Sequence, residues 1–484
     1  MNIITPKQAG ISPQNIIDFI EKIEDADLST HNIILAKGEN IFFEHYWKPF
    51  NKDFLHRQYS VSKSIVSLAV GFCEQDGLLS LDDKISKYFK KESENQNDEN
   101  LKNQTIRDML MMATAKKDRY WFSDRPKDRV LYYFENDNSD SRPPGTIFDY
   151  DSTGSFVLCA LTERLTGQPF MDYLRIKLFD KIGVSKEAYC LKATGGHSWG
   201  DSAVLCTARD LLTIARFVMN KGKWNGEQIL NEKYLTEATS KMIDNNLNAE
   251  STYESYGYGY YIWKLTDGFF FNGMGCQFAL CLPKKDLILI YNGDNQGKVA
   301  AKKIILDAFY ENIVKNPPKE ERNDLGDYVE KLKLATIKGK NYSKTVNEIN
   351  GVTYRVEKTN PMGLKSFRFD FLEDKGTFSY TNEQGDKKIE FGMCENVFGF
   401  FPEEGYSNEV GTEKTKKFYY KCAASAAWLE ENKLQIKVQI IDKYFGNCAL
   451  TFGFKGSKVG IWMQKNAEDF LDKYQGIAEG IKEG

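Results

Sequence analysis

The chain has 484 residues and is close to neutral, with 65 Lys and Arg against 68 Asp and Glu and a formal net charge of -3. This balance leaves no basic surface for a nucleic-acid backbone, and 41% hydrophobic with 27% charged residues excludes disordered and collagen-like classes. No run of about 18 apolar residues occurs, so we expect no transmembrane helix and no membrane partner. Residues 1–21 lack the pattern of a secretion signal, which indicates a cytoplasmic protein.

The cysteines and histidines give no sign of a metal or disulfide framework. The nine cysteines are scattered and none forms a Cys-x-x-Cys pair. The four histidines lack metal-ligand spacing; they are His31, His45, His56 and His197. We therefore expect buried free thiols, a loop position for His197, no metal site and no cofactor.

In chain order, the first predicted elements are a hairpin and a helix. Apolar residues at 33–35 and 41–43 flank the Lys37-Gly38 turn, which is typical of a β-hairpin. Residues 64–76 carry apolar side chains at helical spacing and end at Gly77, a common helix stop. A second amphipathic helix is predicted over residues 205–220. Residues 256–265 and 287–291 are predicted as strands of a central sheet.

Near residue 316 the pattern changes. Residues 316–321 form a polar, proline-containing stretch, and beyond a short predicted helix at 327–334 the apolar residues recur with period two. Phe367, Phe369 and Phe371 alternate with polar residues, as in antiparallel strands that bury one face. The sequence thus predicts a domain over 1–316, a linker over 317–326, and a small β-barrel or β-sandwich over 327–484.

The first candidate for chemistry is Ser60-Val61-Ser62-Lys63 at the start of the predicted helix. Positions i and i+3 share a helix face, so Lys63 Nζ is expected to reach Ser60 Oγ. A serine hydroxyl becomes a nucleophile when a base takes its proton, and a desolvated lysine can serve as that base. The alternative is a serine helix cap beside a solvated lysine.

Further segments extend the pattern in a fixed order. They are Thr105-Ile106-Arg107, Pro144-Gly145 with Phe148-Asp149-Tyr150-Asp151-Ser152, Thr207-Ala208-Arg209-Asp210-Leu211, Trp224-Asn225-Gly226 and Tyr256-Gly257-Tyr258-Gly259-Tyr260. Together with Ser60-x-x-Lys63, this series resembles the serine hydrolases of the penicillin-binding-protein and class C β-lactamase family over residues 5–315. The resemblance implies an α/β (α+β) fold with an antiparallel sheet, a helical subdomain and an acyl-enzyme mechanism.

The resemblance also implies roles for particular residues. Ser60 matches the family's nucleophile, Lys63 its activating base and Tyr150 its proton shuttle, and the backbone N–H groups of Ser60 and Met274 match the oxyanion hole. The remaining positions, expected to contact substrate, are Ser152, Asn272, Gly273, Tyr120 and Trp121. Tyr120 and Trp121 are equally compatible with a packing role, and Gly273 with a tight strand entry.

One departure from the β-lactamase pattern concerns substrate class. The stretch Phe271-Asn272-Gly273-Met274-Gly275 stands where that pattern has a cationic Lys or His, the usual anchor for a β-lactam carboxylate. It resembles the 6-aminohexanoate-dimer hydrolase and esterase branch. We therefore expect a hydrolase of small ester, amide or short peptide-like substrates. The alternatives are a D-amino-acid-specific peptidase, a β-lactamase or penicillin-binding activity, or a catalytically idle ligand-binding protein.

Overall fold

The computed structural model describes residues 2–116, 126–135, 141–248, 252–319, 324–407, 409–411, 414–468 and 473–483. The chain forms two compact units. The first comprises Met1–Asn295, Val299–Lys333 and Asn408–Thr412, and the second comprises Gln296–Lys298, Leu334–Ser407 and Glu413–Gly484. The predicted linker over 317–326 stays a prediction, and the helix expected over 327–334 is shorter and begins earlier, at Leu325–Val329.

The first unit contains a seven-stranded sheet in the order β1-β3-β2-β12-β11-β10-β9. The strands of this unit are β1 Asn2–Ile3, β2 Thr30–Lys37, β3 Asn40–Tyr46, β4 His56–Arg57, β5 Tyr189–Cys190, β6 Val204–Cys206, β7 Lys223–Trp224, β8 Glu227–Gln228, β9 Trp263–Lys264, β10 Phe269–Gly273, β11 Gln277–Leu282 and β12 Leu287–Gly293. Neighbours in the seven-stranded sheet pair antiparallel except β1 and β3, which are parallel, so the sheet is mixed where a purely antiparallel one was expected.

Helices surround this sheet. They are α1 Pro13–Asp25, α2 Val61–Gln75, α3 Glu99–Asn103, α4 Ile106–Leu110, α5 Arg129–Phe134, α6 Ser152–Thr166, α7 Phe170–Leu174, α8 Asp180–Ile182, α9 Ala208–Met219, α10 Glu232–Ala238, α11 Ala301–Phe309 and α12 Leu325–Val329. The strands β11 and β12 are buried along their whole length, and α9 packs against both. A strand that is covered on both faces has a nearly continuous run of apolar residues in its sequence, and β11 and β12 both show this pattern.

The predicted hairpin and the two predicted helices are present. β2 and β3 pair across the Gly38 turn, where the left-handed φ of 57° suits glycine. α2 begins at Val61, before the expected residue 64, and the Leu78 N–H donates to the Cys73 carbonyl just past Gly77. α9 begins at Ala208 because Thr207 and Asp210 form a capping box there.

The prediction for residues 256–265 was wrong in most of its length. Only Trp263–Lys264 is a strand of the sheet. Gly257 has φ 112° and Tyr261 φ 57°, and left-handed residues interrupt a strand ladder. The apolar signal came from burial rather than from pairing, since Tyr258, Tyr260 and Tyr261 are each no more than 1% exposed.

The second unit is a β-barrel. Its elements are the helix α13 Val346–Ile349 and the strands β13 Thr353–Val356, β14 Ser366–Leu372, β15 Lys375–Asn382, β16 Gly385–Met393, β17 Val397–Tyr406, β18 Lys414–Glu430, β19 Lys433–Ile440, β20 Gly446–Lys455, β21 Lys458–Ala467 and β22 Tyr474–Lys482. The strand order is β16-β15-β14-β13-β22-β21-β20-β19-β18-β17. A parallel pairing of β16 with β18, Gly392 to Ser425 and Met393 to Ala426, closes a ring of nine strands. Of the two predicted alternatives, the barrel is the one formed.

The cysteines are all free thiols, and all but Cys190 and Cys394 are buried. Within the described ranges, no group of His, Cys, Asp or Glu is arranged to hold a metal ion. Among those same residues no helix combines the length and apolar character needed to cross a bilayer.

Candidate active site

Ser60 lies at a sharp turn between β4 and α2. Tyr59, the residue before it, has a left-handed φ of 46°, a conformation that costs a non-glycine residue about 1–3 kcal/mol. The Arg57 guanidinium carbon lies 4.4 Å from the centres of both the Tyr59 and Trp199 rings and so braces this turn. Ser60 itself has helical dihedrals and immediately precedes Val61, the first residue of α2. The turn therefore presents the Ser60 side chain at the N-terminus of a buried helix.

Lys63 contacts Ser60 from the next helical turn. Its Nζ donates to Ser60 Oγ at 3.0 Å and to the Asp201 carbonyl at 2.7 Å. Lys63 is only 2% exposed, so this amine is held by these contacts in a desolvated position. The structure thus brings together the serine and lysine predicted to carry the chemistry.

Tyr150 reaches the same amine from another segment. Its ring centre lies 5.1 Å from Lys63 Nζ, and the ring stacks on Trp263 with centroids 6.0 Å apart. The segment is fixed by Asp151, whose carboxylate accepts from the Gly154 N–H at 2.6 Å at the start of α6. Ser152 is the first residue of α6, and its predicted substrate contact stays a prediction.

Aromatic side chains pack behind Tyr150. Tyr258 and Trp263 pack edge to face with ring centroids 4.9 Å apart. The ring centroid of Phe148 lies 5.1 Å from that of Tyr258. Burial raises the pKa of Tyr258 well above its usual value, with Tyr150 as a second cause, so the Tyr258 phenol stays protonated at neutral pH. This packing holds the Tyr150 ring in place.

The end of β10 approaches the backbone of Ser60. A Cβ on Gly273 would lie 2.5 Å from the Gln58 carbonyl oxygen and 3.4 Å from the Ser60 nitrogen, so a larger residue would force the two segments apart. Met274 follows directly in the turn to β11 and is 42% exposed. The geometry therefore places the residue after Gly273 beside the start of α2.

The buried side chain of Gln277 hydrogen-bonds to the turn between β10 and β11. Its Nε2 donates to the Met274 carbonyl at 3.1 Å and to the Gly293 carbonyl at 2.6 Å, while its Oε1 accepts from Asn292 Nδ2 at 3.0 Å. A fully buried amide with three hydrogen bonds fixes the orientation of the Met274 peptide.

Asn272 makes its contact away from this turn. Its Nδ2 donates to Glu254 Oε1 at 2.6 Å, and Glu254 also forms an ion pair with Lys302. The Lys302 ammonium is thereby neutralised. Burial raises the pKa of the nearby Cys276 thiol to about 12, so this thiol stays protonated.

Two residues were missed by the sequence reasoning. Asp201 and Arg129 form a buried ion pair with N–O distances of 3.0 and 3.3 Å, and their side chains are 1% and 0% exposed. The Asp201 carbonyl is the second acceptor of Lys63 Nζ. The two residues are 72 positions apart, so no local spacing connects them.

Other predicted positions fall elsewhere. Tyr120 and Trp121 lie outside the described residues. His197 was expected to be a loop residue. Its Nδ1 lies 2.8 Å from Glu163 Oε2.

The sequence profile of the Beta-lactamase family matches residues 20–309, which is more than half of the chain. The chain belongs to this family. Its members are serine hydrolases, so the family resemblance read from the ordered motifs is confirmed.

Individual relatives of this family member are distant. The chain is 23% identical over 233 residues to the 6-aminohexanoate-dimer hydrolase of Paenarthrobacter ureafaciens, and the match covers 45% of this chain and 58% of that protein. The fold is similar to that of a provisionally assigned 6-aminohexanoate-dimer hydrolase from Bacillus anthracis, with TM-score 0.52, 16% identity, and 62% and 83% of the two chains covered. A provisionally assigned β-lactamase from Bacteroides dorei gives TM-score 0.50, 14% identity, and 62% and 98% coverage.

Proposed function

We propose that this protein cleaves ester or amide bonds of small acyl or short peptide-like substrates through an acyl-enzyme on Ser60. The observation that carries the proposal is the desolvated Lys63 amine, held 3.0 Å from Ser60 Oγ at a helix N-terminus. A positioned amine beside a serine hydroxyl is the arrangement that nucleophilic acyl transfer requires.

The proposed reaction has two steps. Ser60 Oγ attacks the substrate carbonyl, its single proton passes to the Lys63–Tyr150 pair, and the leaving alcohol or amine departs with that proton. Water then gives one proton to the same pair as it attacks the acyl-Ser60 ester, and Ser60 Oγ leaves with that proton as the acid is released. The backbone N–H groups of Ser60 and Met274 stabilise the oxyanion in both steps, and loss of one such donor typically costs about 2.7–4 kcal/mol of barrier.

The substrate class is inferred from charge. Phe271 stands where the family's Lys-Thr-Gly or His-x-Gly motif has its cationic anchor for a β-lactam carboxylate, and Lys302 is neutralised by Glu254, which also binds Asn272. A neutral acyl group therefore suits the proposed site better than a free carboxylate. The relative that hydrolyses a 6-aminohexanoate dimer favours including linear amides of amino acids among the substrates tested.

The test is labelling with a fluorophosphonate, followed by intact-mass measurement. We expect one adduct on the native protein, none on Ser60→Ala, and the native result for Ser80→Ala, an exposed serine on the loop after α2. Lys63→Met is expected to slow p-nitrophenyl butyrate hydrolysis by about 10²–10⁴-fold, the usual contribution of a general base.

Other outcomes would point to the alternatives. A native protein that is folded yet unlabelled would contradict the hydrolase proposal and favour a binding role. Turnover confined to a chromogenic cephalosporin or to D-amino-acid peptides would keep Ser60 as the nucleophile and overturn the substrate class.

A further inference from the structure

The barrel of the second unit has unlike halves. Toward the C-terminal end of β20, the inward-facing residues are aromatic: Phe452 packs 4.9 Å from Phe369 and 5.3 Å from Phe378 between ring centres, and all three are fully buried. Toward the start of β20, Cys448, Lys465 and Tyr474 lie side by side on β20, β21 and β22. We call these three residues the polar layer.

A cavity of about 70 Å³ opens at the polar layer. Its apolar walls include Phe401, Tyr420, Val438, Ile440 and Ala467. Gly446 and Ala467, which add little bulk, also line this cavity, whereas the aromatic rings of Phe369, Phe378 and Phe452 fill the other half of the barrel. A cavity of this size is about half as large as one of roughly 150 Å³ that accommodates the six heavy atoms of benzene in another protein, so about three heavy atoms, the size of a primary amide group, fit inside it and a tail has to extend toward its opening.

One ion pair lies in the wall of this cavity. Lys465 Nζ donates to Glu403 Oε2 at 2.8 Å, and the two side chains are 12% and 18% exposed. The ammonium also lies 5.4 Å from the Phe401 ring centre and 5.7 Å from that of Tyr474. The pair is therefore fixed, and its charges cancel.

Hydrogen-bonding capacity remains beside this pair. An ammonium has three donor hydrogens and a carboxylate two acceptor oxygens, and the Lys465–Glu403 contact uses one of each. Both residues line the cavity, so the remaining N–H groups of Lys465 and the second carboxylate oxygen of Glu403 are available to a ligand there.

We propose that this end of the barrel is a binding site for a small uncharged molecule with a primary amide head and a short aliphatic tail. The amide oxygen accepts from Lys465, the amide N–H donates to Glu403, and the tail lies against Val438 and Ile440. A charged head would leave an unbalanced charge in a largely buried site, which is costly.

The test is a saturation-transfer NMR titration of full-length Ser60→Ala protein with propionamide, propionate and propylammonium. With Ser60 as the nucleophile, the Ser60→Ala background prevents turnover of propionamide; the binding measurement itself does not depend on the role of Ser60. We expect saturable binding of propionamide with Kd on the order of 1–10 mM, weak because the ligand is small, and at least about tenfold weaker binding of both charged analogues.

Three variants in this background assign the site. Lys465→Met is expected to weaken propionamide binding at least about tenfold, whereas Lys458→Met, on the exposed start of the same strand, leaves it unchanged. Because Lys465→Met leaves Glu403 unpaired and can disturb folding, the double variant Lys465→Met/Glu403→Leu, which removes both charges, is the second test, again with a loss of at least about tenfold. Unchanged binding in the double variant or in folded Lys465→Met, equal binding of a charged analogue, or no saturation up to about 100 mM would overturn the inference.

Discussion

At the scale of single residues, the position of Lys63 depends on Asp201. The Asp201 carbonyl accepts from Lys63 Nζ, and the Asp201 side chain is clamped by Arg129 on α5. The Arg129 guanidinium also stacks on Phe156, 4.1 Å from its ring centre. The amine proposed as the base is thus oriented by a backbone group whose own residue is held by a buried ion pair.

Breaking that ion pair should be costly. Arg129→Met leaves the Asp201 carboxylate buried and unpaired, so we expect the free energy of unfolding to fall by about 3–5 kcal/mol. Urea unfolding checks this. The double variant Arg129→Met/Asp201→Leu removes both charges and is expected to regain most of that loss.

A half-exposed ion pair provides the matched control. Arg175 and Asp180 lie 3.6 Å apart, and the Asp180 side chain is 56% exposed. Asp180→Ala should cost less than about 1 kcal/mol because water screens such a pair. An Arg129→Met protein no less stable than Asp180→Ala would contradict the structural role of the buried pair.

At the scale of elements, two histidines join the central sheet to the strand before Ser60. His31 on β2 and His56 on β4 lie with Nδ1 and Nε2 3.0 Å apart, and both are 1% exposed. Phe50 stacks on His31 with ring centres 3.9 Å apart. Burial lowers the pKa of both rings, that of His56 to about 3, with the charge of His56 as a second cause for His31.

This pair should make the first unit sensitive to mild acid. The fold prefers the neutral ring, whereas the unfolded chain takes up protons below about pH 6.5, so unfolding is favoured as the pH falls from 6.5 toward 3. Between pH 7 and 5 we expect His56 alone to lower the free energy of unfolding by about 2 kcal/mol. Urea unfolding at the two pH values measures it.

The matched comparison uses two substitutions to asparagine. His56→Asn should show a smaller loss between pH 7 and 5 than the native protein, because one titrating ring is gone. His197→Asn is the comparison, since His197 is a partly exposed ring that lies apart from this pair, beside Glu163. An identical loss in all three proteins would assign the acid sensitivity to other groups.

The elements also show which features could be predicted from the sequence. α2 was predictable because its apolar residues repeat at helical spacing and Gly77 ends it, and the Ser60–Lys63 contact follows from i,i+3 geometry. The backbone conformation of residues 256–262 could not be predicted, because packing sets the left-handed φ angles there and leaves no repeating pattern in the sequence. The Asp201–Arg129 pair depends on residues 72 positions apart, which only the folded chain brings together.

At the scale of the whole molecule, the period-two pattern predicted strands but not how they close. The ring of nine strands depends on the parallel pairing of β16 with β18, a contact between residues more than 30 positions apart in an otherwise antiparallel sheet. Each compact unit encloses its own buried core, one around β2, β11 and β12 and the other around the barrel aromatics. Units with separate cores are expected to unfold as separate cooperative steps.

We therefore expect two transitions in differential scanning calorimetry, each responding to its own substitution. Gly376→Val puts a Cβ 2.4 Å from Phe391 Cζ inside the barrel, an overpacking that should cost about 1–3 kcal/mol. It should lower the midpoint of one transition only. Gly460→Val is the control, because a Cβ there meets nothing within 4 Å.

Lowering the pH supplies the reciprocal shift. At pH 5 the histidine pair should lower the midpoint of the other transition. We expect this pH-dependent shift to be smaller in His56→Asn and unchanged in Gly376→Val. If Gly376→Val lowers both midpoints equally, or if one transition accounts for the whole calorimetric enthalpy, the two cores unfold together. The barrel would then contribute directly to the stability of the unit that carries Ser60.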